Sequence, residues 1–260
     1  MNIIGIIPAR MASSRFPGKP LAKICGIPMV GHVYFRSKMC KSLNEMYVAT
    51  CDKEIYDYVE SIGGKAIMTA DTHERASDRC AEAMLKIEEE SGSEVNIMVM
   101  IQGDEPMVYP EMIDEALQPM LEDPSVLITN LIGEIKTIEE FEDSNQVKVV
   151  CDKFGNALYF SREPIPSRKK YLKDFLKFKQ VPIIPFRRDF LIQYNKMEQT
   201  PLEIIESVDM LRIVENGIKI RMVRTKFETH AVDIPEDLTY VENLMKNDML
   251  ITKYIGYSYK

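Results

Sequence analysis

Three short stretches carry the residue types that phosphate and metal chemistry need. The first is Pro8-Ala9-Arg10-Met11-Ala12-Ser13-Ser14-Arg15-Phe16-Pro17-Gly18-Lys19-Pro20-Leu21, which sets three cations within ten residues among Ser and Gly. Backbone N–H groups of such a loop cradle phosphate oxygens, and Arg and Lys neutralise them. It is not a Walker A loop, because Pro20 follows Gly18-Lys19 and no glycine sits five residues earlier, and it is not GxGxxG. The plainer reading of the same residues is an exposed basic loop. The second stretch, Gln102-Gly103-Asp104-Glu105-Pro106, follows the apolar run Ile97–Ile101. Mg²⁺ favours one or two protein carboxylates plus substrate phosphates, and Asp104 suits that role; a polar turn is the alternative. The third is Val232-Asp233-Ile234-Pro235-Glu236-Asp237-Leu238. Asp233 there is either the N-cap of a helix starting near Pro235 or a second metal carboxylate, and spacing leaves both open.

These residues need a scaffold that brings distant loops together. The first half alternates strand-like and helix-like segments: Ile3–Ile7 as a strand stopped by Pro8, a helix over 28–39, a strand at Glu45–Thr50, a helix over 55–62 closed by Gly63-Gly64, a strand at 65–68, a helix over 77–90 and a buried strand at Ile97–Ile101. Such βαβ units predict an α/β fold with a mostly parallel, doubly wound, Rossmann-like sheet, whose ligands lie beyond the carboxyl ends of the strands. The second half predicts strands at 146–151, 157–160, 181–186 (weakened by two prolines) and 220–223, with Asp152–Asn156 as a turn. One helix or two should fill 201–216, ended by Gly217, and a final helix 235–246 should carry Pro near its first position. Arg168–Phe178 is charged and aromatic, hence expected to be partly exposed. The organisation expected is a single 260-residue domain with a smaller inserted lobe near 130–200.

Composition narrows the partners. A formal net charge of −7 argues against a general nucleic-acid binder but not against a small anion held by local cations. The five cysteines form no CxxC pair and the three histidines lack zinc spacing, which fits reduced thiols in a cytoplasmic protein. The apolar start reads as a strand rather than a signal peptide, and no apolar run approaches the roughly 18 residues of a membrane span.

In this order, IPARMASSRFPGKPL, VMIQGDEPMV, VKVVCDKFGNALYFSREPIP and VDIPEDL resemble the CMP-Kdo synthetase family, the 3-deoxy-manno-octulosonate cytidylyltransferases, over about residues 3–245. The first two motifs are shared loosely with other sugar nucleotidyltransferases; Ala157–Pro166 is more particular. The resemblance implies a Mg²⁺-dependent cytidylyltransferase that couples CTP to an acidic 3-deoxy-2-keto sugar, with release of pyrophosphate. It implies that Arg10, Ser14, Arg15 and Lys19 hold the triphosphate, that Ser77 lies at the nucleotide, and that Gln102 contacts the bound ligands. Asp104 and Asp233 would bind Mg²⁺. Arg162 would meet the sugar carboxylate, with Gln180, Glu203 and Glu206 in the sugar pocket. A homodimer formed through the smaller lobe is implied too. A glycosyltransferase would usually carry DxD where this chain has Gly103-Asp104-Glu105, and a non-catalytic nucleotide-binding module would not need Lys19, Asp104 and Asp233 together.

Two segments depart from the family pattern. HxSGT[DE]R stands as His73-Glu74-Arg75-Ala76-Ser77-Asp78-Arg79, with Arg and Ala for Ser and Gly, which loosens the expectation of strict cytosine preference. HxGIYxYR stands as Gln180-Val181-Pro182-Ile183-Ile184-Pro185-Phe186-Arg187. Losing a His and two Tyr predicts a rebuilt acceptor pocket, suited to an acidic sugar other than unmodified Kdo or, where Gln180 and its neighbours compensate, to Kdo itself.

Overall fold

The computed structural model describes residues 1–12, 15–167 and 176–256. Ser14, and most of the charged stretch from Arg168, therefore lie outside the described residues. The chain divides into two compact units, Met1–Asp114 with Thr229–Lys260, and Glu115–Glu228.

In the first unit, β1 (Ile3–Ala9) is buried along its whole length. It includes Pro8, which sequence reasoning makes a stop. Pairing with the later strand at Ile97–Ile101 ends at Ile6, so Pro8 sits where the ladder needs no N–H on that side. A short hairpin of β2 (Lys23–Ile24) and β3 (Ile27–Pro28) leads into α1 (Met29–Lys38), followed by β4 (Glu45–Thr50), α2 (Lys53–Ser61), β5 (Ala66–Met68), α3 (Ala76–Ser91) and β6 (Ile97–Ile101). All five residues of β6 are buried, as its unbroken apolar run requires. The strands run parallel in the order β6-β1-β4-β5. The chain thus moves outward from β1 through β4 to β5, then returns to β1's other side for β6. That reversal makes a switch point between β1 and β6, where the loops after both strands converge.

The chain enters the second unit within α4 (Pro110–Glu122). There follow β7 (Thr129–Glu134), α5 (Ile138–Glu142), β8 (Lys148–Cys151), β9 (Ala157–Ser161), β10 (Phe178–Val181), β11 (Ile183–Arg187), α6 (Arg188–Tyr194), α7 (Pro201–Glu206), α8 (Met210–Glu215) and β12 (Arg221–Arg224). The unit is wider than 130–200 because β7 and β12 pair in its sheet, ordered β12-β7-β10-β8-β9. The mostly parallel sheet is that of the first unit; in this second sheet only β12–β7 is parallel, and the other three pairings are antiparallel. Pro182 splits the expected 181–186 strand into two. Of the one helix or two expected over 201–216, two form, separated at Ser207 with φ 52°.

The chain then returns to the first unit as α9 (Pro235–Met245) and a C-terminal segment. Tyr254 of that segment is buried beside α1. Its hydroxyl accepts from Arg36 Nε (2.9 Å) and donates to His32 Nδ1 (2.8 Å), because His32 Nε2 is committed as donor to the Ile24 carbonyl at 2.7 Å. Arg36 also pairs with Asp248, and both side chains are buried. Among the described residues no helix is long and apolar enough to cross a membrane. All five cysteines are free.

Candidate active site

The carboxyl ends of β1 and β6 open onto a cavity of about 330 Å³. Two glycines shape it. Gly18, at φ 75°, turns the loop after β1 into a single 3-10 turn, Lys19–Leu21, and donates back to the Met11 carbonyl at 3.1 Å. Gly103 lets the turn after β6 lie against β1: a Cβ there would stand 3.3 Å from both Ile7 Cγ2 and the Pro8 carbonyl oxygen.

The cavity wall is cationic. Arg10, Arg15, Lys19, Arg75 and Arg79 line it against two carboxylates, Asp104 and Glu74. A chain with net charge −7 has therefore gathered a local positive excess, which suits a polyanionic ligand. Gln102 and Gly103 complete the wall beneath Asp104.

Asp104 and Asp233, 129 positions apart in the chain, meet on one ammonium group. Lys19 Nζ lies 2.9 Å from Asp104 Oδ2 and 3.8 Å from Asp233 Oδ1, and donates to the Val232 carbonyl at 2.9 Å. Arg15 reaches Asp233 Oδ1 at 2.8 Å. A backbone bond from Val232 N to the Asp104 carbonyl, 2.9 Å, pins the two acidic segments together. Burial, reinforced by the nearby Asp104 carboxylate, raises the Asp233 pKa against the lowering pull of Lys19 and Arg15. Two carboxylates crowded around one cation form a donor set that fits a hard divalent ion completing its shell with phosphate oxygens. No cluster of three or more metal-ligating side chains occurs among the described residues.

Asp233 does not cap α9. Asp237 does that work, its Oδ2 accepting from Asp233 N (2.8 Å) and Ile234 N (3.0 Å). The Asp233 side chain faces Lys19 and Arg15 rather than the first amides of α9.

The family profile described as cytidylyltransferase matches residues 4–220. The chain is 45% identical over 251 residues to the 3-deoxy-manno-octulosonate cytidylyltransferase of Geobacter metallireducens, covering 93% of this chain and 96% of that one. It is 46% identical over 256 residues to the enzyme of the same name from Geobacter sulfurreducens, covering 95% and 100%. The chain belongs to the 3-deoxy-manno-octulosonate cytidylyltransferase family. A solved structure of CMP:2-keto-3-deoxy-manno-octonic acid synthetase complexed with CTP superposes on this cytidylyltransferase with TM-score 0.86 at 39% identity, covering 95% of this chain and 99% of that one.

The residues that the resemblance marks are not all alike in this cytidylyltransferase. Arg10, Arg15, Lys19, Gln102 and Asp104 line the cavity, and Asp233 adjoins it through Lys19. Ser77 is fully buried within α3 and is not in the wall, where Arg75, Ala76 and Arg79 stand instead. Arg75, in extended conformation just before α3, and Arg79, in its first turn, line the wall without having been marked in the sequence.

In the second unit, Glu203 is a buried ion-pair partner of Arg212. It is 0% exposed and takes both Arg212 Nε (2.7 Å) and Nη2 (2.6 Å). Glu206 is a local organiser: it accepts from Tyr159 Oη (3.1 Å), Ser161 Oγ (2.7 Å) and Arg162 N (2.9 Å). Those donors lower its pKa against the opposing effect of burial. Arg162 donates from Nε to the Glu206 carbonyl at 2.9 Å and from Nη1 to the Ser144 carbonyl at 3.0 Å. Gln180 Nε2 donates to Asn130 Oδ1 at 2.6 Å. The substituted positions Ile184 and Phe186 are 2% and 0% exposed, and Phe186 stacks on Phe190 and Tyr194. They pack as core, so the inference of a more apolar acceptor wall loses its support there.

Proposed function

We infer that this chain transfers the cytidylyl group of CTP to 3-deoxy-manno-octulosonate in a Mg²⁺-dependent reaction. The observation that carries this reading is the meeting of Lys19, Asp104 and Asp233 at the cationic cavity of a chain of which 95% aligns with a relative in the family. In the reaction, the anomeric hydroxyl oxygen forms a bond to the α-phosphorus, and the bond from that phosphorus to the pyrophosphate oxygen breaks. The hydroxyl proton is released and pyrophosphate leaves. Such a transfer asks the protein mainly for positioning and charge neutralisation. Arg10, Arg15 and Lys19, with Arg75 and Arg79 beside them, supply cations for the triphosphate. Gln102 contributes amide donors and an acceptor at the end of β6. Asp104 and Asp233 would hold Mg²⁺. Bound there, Mg²⁺ supplies neutralisation of phosphate charge and a defined triphosphate conformation. Arg162, held at the start of its side-chain fork by Glu206, is the candidate for the sugar carboxylate. A homodimer and a cytoplasmic setting accompany the reading, the latter supported by five free thiols.

The unmodified sugar is the acceptor favoured, because Ile184 and Phe186 are core residues and the relatives named for that sugar cover nearly the whole chain. Pyrophosphate release with CTP, Mg²⁺ and a panel of 2-keto-3-deoxy sugar acids tests this. A kcat/KM with 3-deoxy-manno-octulosonate within about 10⁴–10⁸ M⁻¹s⁻¹ is expected. Turnover with another acid of the panel and none with this one would instead favour an altered acceptor.

A further inference from the structure

We propose that Asp52 is a positioning residue for the phosphate-binding loop, its carboxylate holding the Met11 amide so that Arg10 and Lys19 are set for the nucleotide before it arrives. The proposal rests on the reading of the Arg10–Lys19 loop as the CTP site.

Asp52 occupies the N-cap position of α2, where Asp ordinarily turns its carboxylate onto the first amides of its own helix. It makes no side-chain cap bond there. Its Oδ2 instead accepts from Met11 N at 2.7 Å, 41 residues away in sequence. The rest of Asp52 is fixed independently: its N–H donates to Thr50 Oγ1 at 3.1 Å, and its carbonyl accepts from Tyr56 N at 3.1 Å. The carboxylate is thus carried on a rigid strand-to-helix corner, at the carboxyl end of β4 beside β1.

Met11 is the hinge of the loop. Its carbonyl accepts from Gly18 N at 3.1 Å, which closes the loop on itself one residue before Lys19. Its N–H goes to Asp52, one residue after Arg10. Both polar groups of the Met11 main chain are therefore occupied, one across the loop and one to the neighbouring strand's end. Charge argues that this bond is there for geometry. A carboxylate next to cations meant for a triphosphate opposes the ligand electrostatically. Its place there needs a compensating gain, and ordering the loop beforehand reduces the conformational freedom lost when nucleotide binds.

The test joins one measurement without nucleotide and one with it. In the free enzyme, amide hydrogen exchange at Met11 is followed for wild type, Asp52→Ala and Asp52→Asn. Asp52→Ala should exchange at least about tenfold faster. Asp52→Asn keeps an acceptor oxygen and should stay protected. In steady state, Asp52→Ala should raise the KM for CTP about tenfold with kcat within about twofold, the signature of lost binding without lost chemistry. Asp52→Asn should bind CTP as well as wild type or better, since it keeps the bond and removes the opposing charge. Unchanged Met11 exchange in Asp52→Ala would overturn the proposal. So would equal KM losses in the Ala and Asn variants, or a lowered Tm with unchanged KM, which would make Asp52 an ordinary structural residue of α2. Should the exchange pattern hold while wild type binds no CTP by calorimetry, the hold on Met11 stands and the nucleotide reading of the loop is what fails.

Discussion

Lys19 stands where two carboxylates and a polyanion compete for one cation. Its ammonium touches Asp104 and approaches Asp233, which Arg15 also meets at 2.8 Å. If both acids hold Mg²⁺ as proposed, removing either takes away a group that stabilises charge in the transition state, an effect of about 10²–10³ in rate. Asp104→Asn and Asp233→Asn should each lose activity on that scale while keeping a wild-type Tm; near-normal turnover with Mg²⁺ present would remove that residue from the site. Lys19→Ala should weaken CTP use at least about tenfold, since a charge-assisted hydrogen bond contributes roughly 1.5–3 kcal/mol. The variant also leaves Asp104 facing Asp233 without the ammonium between them. Its Tm in EDTA should therefore fall below that of wild type, and Mg²⁺ should raise it more. Scanning calorimetry with and without the metal checks both expectations.

At the scale of elements, α7 and α8 are joined by charge rather than by a continuous helix. Ser207 breaks the run, and Glu203 on α7 meets Arg212 on α8 inside the unit, with the Arg212 guanidinium also over the Tyr194 ring at 4.8 Å. A buried pair is most costly when only one partner is removed, because the other charge is left buried and alone, at about 3–5 kcal/mol. Glu203→Ala should therefore lower the urea midpoint by that equivalent and leave KM for the sugar near wild type in the folded fraction. A raised sugar KM with unchanged stability would return Glu203 to the acceptor pocket.

Across the molecule, the last residues of the chain secure the first helix. His32 sits at the junction of α1, β2 and the C-terminal segment, with Tyr254 on one ring nitrogen and the Ile24 carbonyl on the other. Burial, helped by the Arg36 charge and opposed by the Ile24 carbonyl and Asp248, lowers its pKa to about 4. The unfolded chain binds that proton near pH 6.5, so between about 6.5 and 4 it holds more protons than the folded one. This group's stability is full above pH 6.5 and declines as pH falls, by about 3 kcal/mol at pH 4. Urea unfolding across that range should show the slope, and the His32 ring resonances should titrate near pH 4. A midpoint near 6.5 would contradict the buried neutral imidazole.

The family of this protein was legible in its local motifs, which are short stretches that the fold gathers around one cavity: the cations of Arg10–Lys19, the acid after Ile97–Ile101, and Asp233 ahead of α9. The parallel first sheet was equally legible, since a strand buried on both faces is written as an unbroken apolar run like that of β6. Strand pairing was not. The antiparallel order of the second sheet depends on which distant segments meet, and local periodicity is silent about that. The same limit hid the true work of single residues. Glu203 reads as a pocket acid until Arg212 is found against it, and Phe186 reads as a lost hydroxyl until it is seen stacked in the core. Asp233 reads in the sequence as either a helix cap or a metal carboxylate, and Asp52, also at the head of a helix, draws no reading. Only the folded chain separates them, because Asp237 already caps α9 and the Met11 amide lies within reach of Asp52. Residue type determines what a side chain is able to bind; the neighbours delivered by tertiary structure decide what it does bind.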